Sequence, residues 1–149
     1  MEVLMGRDSD IENWMKLVKA ISWNFPGLET KEAINEHKET VLKFMRREQA
    51  YCVKNETGEI IGVILFSRKL NMICCLGVSE ADRKQGIATA LLSEALQNLD
   101  RTKEITVTTF CENDIKGKAP RALYKKFGFI EGEYLSEFGY PNQKFILNP

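Results

Sequence analysis

The sequence predicts an α/β (α+β) fold of six to seven strands and about four helices, and three stretches carry that prediction. Met72 to Val78 is an apolar run with turn residues on both sides, the length and composition of a strand covered on both faces. After it, Ile87, Leu91, Leu92, Ala95, Leu96 and Leu99 fall at helical spacing and form one core-facing stripe. Ile105 to Thr109 is then β-branched at every position, as a strand prefers.

The remaining elements follow from their own local signals. Met1 to Arg7 suits a short first strand. Ser9-x-x-Glu12 has capping-box spacing, and Ile11, Trp14, Leu17, Val18 and Ile21 follow it at helical intervals. Phe25-Pro26-Gly27 is a turn signal that ends this helix. A second helix is expected from about Lys31 to Arg47, with Ile34, Val41, Leu42 and Met45 on one face. Ala50 to Lys54 and Ile60 to Arg68 read as a hairpin around Asn55-Glu56-Thr57-Gly58. Beyond the central strand and helix, Glu104 to Cys111 is a strand and Cys111 to Ala119 a charged loop. Pro120 suits the first residue of a short helix to about Phe127, because its missing N–H has no partner there anyway. Gly128 ends that helix, and Phe129 to Leu135 and Gln143 to Leu147 are two last strands around Gly139-Tyr140-Pro141.

Composition narrows the function classes. A length of 149 residues fits one domain, 1–149, with a full core, and 44% hydrophobic with 28% charged residues is a soluble globular balance. The 21 basic and 21 acidic residues cancel, which argues against general nucleic-acid or anionic-membrane partners. No apolar run approaches the roughly 20 residues of a membrane span. The start MEVLMGRDSD has no basic segment followed by an apolar stretch, so a secretory signal is not expected. Cys52, Cys74, Cys75 and Cys111 sit in strand-like segments without a Cys-x-x-Cys pair. They read as reduced, mostly buried small hydrophobes of a cytoplasmic protein. His37 is the only histidine, placed on the polar side of its helix and given no catalytic role, and no metal site is expected.

Between the central strand and its helix lies Arg83-Lys84-Gln85-Gly86-Ile87-Ala88. The first amides of a helix have no intrahelical partner, the dipole is positive at that end, and glycine lets an anion approach the backbone. A cationic turn with that geometry is suited to phosphate. The spacing Arg-x-x-Gly-x-Ala resembles the acyl-CoA pyrophosphate loop of the GNAT superfamily of N-acetyltransferases. Further on, Ala122-Leu123-Tyr124-Lys125-Lys126-Phe127-Gly128-Phe129 resembles a second signature of that family, Leu-Tyr-x-x-x-Gly-Phe. The likeness covers about Ala50 to Phe129 well and the two ends in outline.

The resemblance implies a GNAT fold: a central mixed, mostly antiparallel twisted sheet flanked by helices, whose strands carrying Leu76 and Thr108 splay apart. Acetyl-CoA, as co-substrate, would lie in that V. The main chain of Leu76 and Val78 would pair with the pantetheine arm. The amides of Gln85, Gly86, Ile87, Ala88 and Thr89, with the Arg83 and Lys84 side chains, would hold the pyrophosphate. Tyr124 would be the general acid, since a phenol with an ordinary pKa near 10 stays protonated at neutral pH and can donate to a leaving thiolate. The same tyrosine also fits a core aromatic with its hydroxyl at the rim.

The chain departs from the family pattern in places. The Asn often found seven residues before this Tyr is Gly117 here, and Asn113, four residues earlier in a longer loop, is the candidate replacement. Lys116, Lys118, Arg121, Lys125 and Lys126 are candidates for the 3′-phosphate or a solvated helix face. No carboxylate stands between Asn71 and Ser79, so the proton acceptor is open among Glu112, Asp114, Glu29, Glu32, Glu36 and ordered water. The acceptor side is expected around the first two helices, with Trp23, Phe25 and Glu29, and Glu137 to Pro141 as further candidates. Aromatics beside carboxylates suit a small cationic amine.

The expected activity is therefore direct acetyl transfer to a primary amine of a small molecule in a ternary complex. A protein or peptide amine, and a non-catalytic acyl-CoA sensor, are the alternatives. An acyl-cysteine route through Cys75 or Cys111 ranks below these, because neither has a cationic neighbour in sequence to lower its pKa. Homodimers are common in the family, and the sequence marks no interface for one.

Overall fold

The computed structural model describes residues 1–25 and 27–149, with Asn24 described by its backbone alone. The proline of the expected Phe25-Pro26-Gly27 turn thus lies outside the described residues. The elements run β1 (Val3–Met5), α1 (Ile11–Ala20), α2 (Lys31–Arg46), β2 (Ala50–Lys54), β3 (Ile60–Ser67) and β4 (Met72–Val78). They continue with α3 (Ile87–Gln97), β5 (Ile105–Phe110), α4 (Lys118–Lys126), β6 (Ile130–Glu137) and β7 (Tyr140–Leu147). The strands form one sheet in the order β1-β2-β3-β4-β5-β7-β6, in which only β4 and β5 run parallel.

The period-two alternation of the strands sorts the core into two layers. Val63 and Leu65 of β3 join Ala50, Cys52, Trp14, Val18, Val41 and Met45 beneath α1 and α2. Ile64 and Phe66, one step away, join Leu91, Leu92, Leu96, Val107 and Phe145 on the face covered by α3 and α4. The strands buried on both faces are therefore β2 and β3. The central strand β4, expected to be covered on both faces, is only partly so: Ile73 is buried while Cys74 is exposed. Its apolar residues face a cleft as well as a core. The cysteines follow the same pattern, with Cys52 buried, Cys75 and Cys111 half-buried, and Cys74 exposed.

The cleft arises where the sheet comes apart. β4 and β5 share a single registered pair, Met72 with Thr106. The closed end of that V is pinned by Asn71, whose Nδ2 donates to the Asp100 and Glu104 carbonyls at 2.9 and 2.8 Å. Its Oδ1 accepts from the Asp100 N–H at 2.8 Å. Against β3, Leu65 pairs with Cys75 and Phe66 with Ile73, so Cys74 is left over as a bulge. A bulge bends its strand, here at the point where β4 leaves β5.

Several element ends differ from the sequence expectation for local reasons. Asp10 takes the N-cap position of α1 without a side-chain bond to the helix; its Oδ2 accepts the Arg7 N–H at 3.0 Å across the preceding turn, in place of the expected Ser9–Glu12 box. A 3₁₀ turn at Asp8–Asp10 precedes the helix. Thr30 caps α2, its Oγ1 accepting from the Ala33 N–H at 3.0 Å. Pro120 is the third residue of α4 rather than the first, still among the positions whose N–H has no helical partner. Gly128, at φ +96°, ends that helix as expected, with the Phe129 N–H reaching back to the Tyr124 carbonyl at 3.0 Å. The last turn is Phe138-Gly139, both at positive φ (+54° and +74°), which is type I′ geometry. Tyr140 and Pro141, expected in that turn, are the first residues of β7.

Candidate active site

The V between β4 and β5 opens into a cavity of about 810 Å³ that runs from the α3 N-terminus to the inner side of α1 and α2. The hydrogen-bonding phase of β3 and β4 decides which main-chain groups face it. The Ser79 N–H donates to the Ile61 carbonyl at 2.9 Å, so Ile61 and Ser79 form a hydrogen-bonded antiparallel pair. Alternate pairs along such a ladder point their polar groups away from each other. Gly62–Val78 and Ile64–Leu76 are those alternate pairs. The N–H and C=O of Leu76 and Val78 therefore point toward the missing β5 edge, and both residues line the cavity. Strand groups left open like this need a partner.

At the mouth of the V, Gly86 takes φ +81° and serves as the N-cap of α3. A Cβ there would meet nothing within 4 Å, so the approach to the helix end is open. The Ala90 N–H already bonds the Gly86 carbonyl, which leaves the amides of Ile87, Ala88 and Thr89 as the orphan donors of the first turn. Lys84 also adopts a left-handed conformation, φ +63°. Arg83, Lys84, Gly86, Ile87, Ala88 and Thr89 line the cavity together, while Gln85 is exposed beside them and contributes no wall. The arrangement is a cationic loop on a helix N-terminus, a geometry that suits a phosphate.

Deeper in the V lies Tyr124 of α4, 4% exposed, with its ring tilted against Phe129 (5.6 Å) and Phe145 (6.2 Å). It lines the cavity, so its phenol reaches the space between the strands. Burial, and to a smaller degree neighbouring Cys75, push its pKa well above the ordinary tyrosine value, which keeps the proton on the oxygen. Burial pushes the Cys75 thiol up to about 12 and the Cys74 thiol up to about 11. Both remain thiols at neutral pH, which weakens any acyl-cysteine route through Cys75.

The carboxylates nominated as proton acceptors are elsewhere. Glu112 and Asn113, with Asp114, line a separate shallow depression beside α4, next to Arg121 and Lys125. A backbone N–H and the Tyr134 hydroxyl, at 2.8 Å, donate to Glu112 and hold its carboxyl below the usual glutamate range, which makes it a poorer base. Asp114 accepts the Tyr140 hydroxyl at 2.6 Å. Glu29 accepts the Gly27 N–H at 3.1 Å and does not line the cavity, whereas Phe25 does. Trp23 is 52% exposed and outside the walls. The cavity's own carboxylates, among the described residues, are Asp82 beside the loop and Glu137 on the β6–β7 hairpin.

The basic cluster also divides. Arg121 is 6% exposed and donates to the Phe110 carbonyl (2.9 Å), Gln143 Oε1 (2.8 Å) and Glu131 Oε2 (3.0 Å), so it braces α4 against the sheet and is not free for a phosphate. Lys125 is paired with Glu131 at 2.7 Å. Lys116 lines the cavity and donates to the Trp23 carbonyl at 3.3 Å. A residue that sequence reasoning set aside comes forward: His37 lines the cavity from α2 together with Thr40 and Phe44. The spacing of 37, 40 and 44 was a legible signal, since i, i+3 and i+7 share one helix face.

Comparison with known proteins bears on the family and the fold. A family profile described as an acetyltransferase (GNAT) domain matches residues 46–131. No curated protein matches the chain significantly. Among solved structures, an acetyltransferase of the GNAT family from Bacillus cereus is 17% identical with a TM-score of 0.75, covering 99% of this chain and 96% of that one. An N-acetyltransferase from Staphylococcus aureus has the same identity and score, 17% and 0.75, over 98% of this chain and 100% of that one. The PaiA N-acetyltransferase from Thermoplasma acidophilum, solved in complex with coenzyme A, is 16% identical with a TM-score of 0.68 over 96% of each chain.

Proposed function

The chain belongs to the GNAT family of acetyltransferases, and from that premise we propose that it moves the acetyl group of acetyl-CoA onto the primary amine of a small molecule. One acetyltransferase domain over 1–149 does this work. The observation that supports the reading most is the V itself: strand groups of Leu76 and Val78 open toward β5, with the orphan amides of α3 at its mouth. A pantetheine arm is built of amides and completes the open strand edge. A pyrophosphate suits the amides of Ile87, Ala88 and Thr89 under the positive end of the helix, with Arg83 and Lys84 beside it.

The transfer proceeds in one ternary complex. The amine nitrogen attacks the thioester carbonyl, the C–N bond forms, the C–S bond breaks, and the Tyr124 hydroxyl donates its proton to the leaving sulfur. A thiol held up at about 12 makes Cys75 a poor competitor for the acyl group. The four free thiols suit a reducing compartment such as the cytoplasm. Among the described residues no helix is long and apolar enough to cross a membrane.

The test follows free CoA thiol released from acetyl-CoA in the presence and absence of candidate amines. Release that depends on the amine, together with an acetylated amine product, supports the reading. Coenzyme binding without release under any amine or peptide points to an acyl-CoA sensor instead, and turnover confined to peptides moves the acceptor to a protein amine.

A further inference from the structure

We propose that the cavity wall built by α1, α2 and the segment between them is an acceptor pocket for a primary amine with an apolar body, and that His37 in that wall takes the amine's proton. The proposal rests on the acetyltransferase reading and adds the class of acceptor and the group that deprotonates it.

The wall is hydrocarbon where a substrate body would lie. Ile21, Phe25 and Leu28 of the connection and Phe44 of α2 line it, with Leu65 of β3 and Cys75 of β4 on the sheet side. On α2 the buried core positions are Val41 and Met45, while His37, Thr40 and Phe44 form the stripe turned to the cavity. Core packing accounts for the first pair and leaves the polar members of the stripe unexplained. Among the described residues this wall carries no carboxylate. Glu29 is taken up by the Gly27 N–H, Glu12 holds Lys38 at 2.8 Å, and Glu32, Glu36 and Glu39 do not line the cavity. A polyamine or other polycation gives up water around each charge and needs fixed anions in return. An apolar amine needs only contact surface.

Such an amine arrives as an ammonium ion and must lose a proton before it attacks. His37 is the only histidine of the chain, and burial lowers its pKa, so that the imidazole is neutral and able to accept at pH 7. The other titratable groups that α1, α2 and β4 bring to this side are engaged or held protonated. The Cys75 thiol of β4 is held protonated by burial. Lys38 of α2 is paired with Glu12 of α1, and Lys116 donates to the Trp23 carbonyl. Glu137 lines the cavity from the β6–β7 hairpin, whose Phe138 packs against Gly27 of the connection. Among the described residues it is the one carboxylate near this wall, and Glu137→Gln serves as the control for His37→Gln. The protons balance. The ammonium gives one to His37, which returns it to solvent. The second leaves the nitrogen as the amide forms and replaces the one that Tyr124 gave to the sulfur.

The test measures kcat/KM at saturating acetyl-CoA for phenethylamine and n-hexylamine against spermidine, an aminoglycoside and a lysine peptide. The expected result is at least a tenfold preference for the first two. His37→Gln is expected to lower kcat/KM at least tenfold at pH 7 and to move the acidic limb of the pH profile to higher pH, because the free amine's own deprotonation then sets it. Acetyl-CoA affinity, which also reports that the variant is folded, should stay unchanged. In His37→Ala, added imidazole should restore part of the rate. A better rate with spermidine, the aminoglycoside or the peptide overturns the proposal while leaving acetyl transfer intact, as does an unchanged pH profile in His37→Gln. No acetylation of any amine by a chain that binds the coenzyme overturns the acetyltransferase reading, and this proposal with it.

Discussion

Tyr124 is placed by packing, and the proposed mechanism uses its one polar atom. Its ring is held by Phe129 and Phe145, and its oxygen reaches the cavity. Tyr124→Phe keeps the ring contacts, so stability and acetyl-CoA affinity are expected to change little while kcat falls about 10²- to 10⁴-fold; an unchanged kcat would remove Tyr124 from the chemistry. His37 gives a pH signature of its own. Its folded pKa lies below the unfolded value of 6.5, so the unfolded chain binds the proton first on acidification. The contribution is fully present above pH 6.5 and is lost as pH falls toward the folded pKa. Melting curves should show this decline below pH 6.5, and His37→Gln should flatten it. At this scale the motif residues were legible from spacing, Gly86 and Tyr124 among them. Gly117 was legible only as a departure. The structure supplies its cause: a Cβ there would stand 2.8 Å from Phe110 Cβ and 3.2 Å from Arg121 Cδ, so an Asn cannot occupy the position without displacing α4.

Among the elements, α4 carries Tyr124 and is fastened by Arg121, whose donors reach β5, β6 and β7 at once. Its guanidinium also lies 4.8 Å from the Phe145 ring centroid. Arg121→Met removes charged hydrogen bonds from a buried position. The expected cost is about 2 to 3 kcal/mol in urea unfolding, with a drop in kcat larger than any loss of coenzyme affinity, because α4 then holds Tyr124 less firmly. A variant as stable as the parent would show that the network is not what fixes the helix. The sequence suggested a charged helix face here because Arg121 looks like its lysine neighbours until the fold buries it. Elements with strong periodicity, α1, α2 and α3, and the Asn55–Gly58 hairpin were legible to within a few residues. The last turn was expected at Gly139-Tyr140-Pro141 and lies slightly earlier, at Phe138-Gly139, since Phe carries no signal for φ +54°. Nor could composition tell that half of β4 faces a cleft, because a cavity wall and a core draw on the same residues.

For the whole molecule, the sheet is two blocks, β1 to β4 and β5 to β7, that meet at one registered strand pair and through the helices above and below. This is the organisation that the two motifs implied together. Neither motif shows it alone, since splaying is a property of two strands distant in sequence. The first two helices and Phe25 were expected on the acceptor side and do line the cavity, whereas Trp23 and Glu29 do not, and the stripe of His37, Thr40 and Phe44 was not singled out. A ligand lying in the V adds the missing partners to β4 and ties the two blocks, so it should raise global stability rather than stiffen one loop. The measurement that tests this most directly is the melting temperature with and without acetyl-CoA, for the parent chain, Gly86→Ala and Gly86→Glu. Both substitutions carry the strain of a side chain at φ +81°, about 1 kcal/mol, but only glutamate puts charge and bulk where pyrophosphate belongs. At 100 times its dissociation constant acetyl-CoA should add about 2.7 kcal/mol to the parent chain, and still stabilise the alanine variant. It should leave the glutamate variant unmoved. No shift in the parent at saturating acetyl-CoA, or an equal shift in all three, would contradict the account.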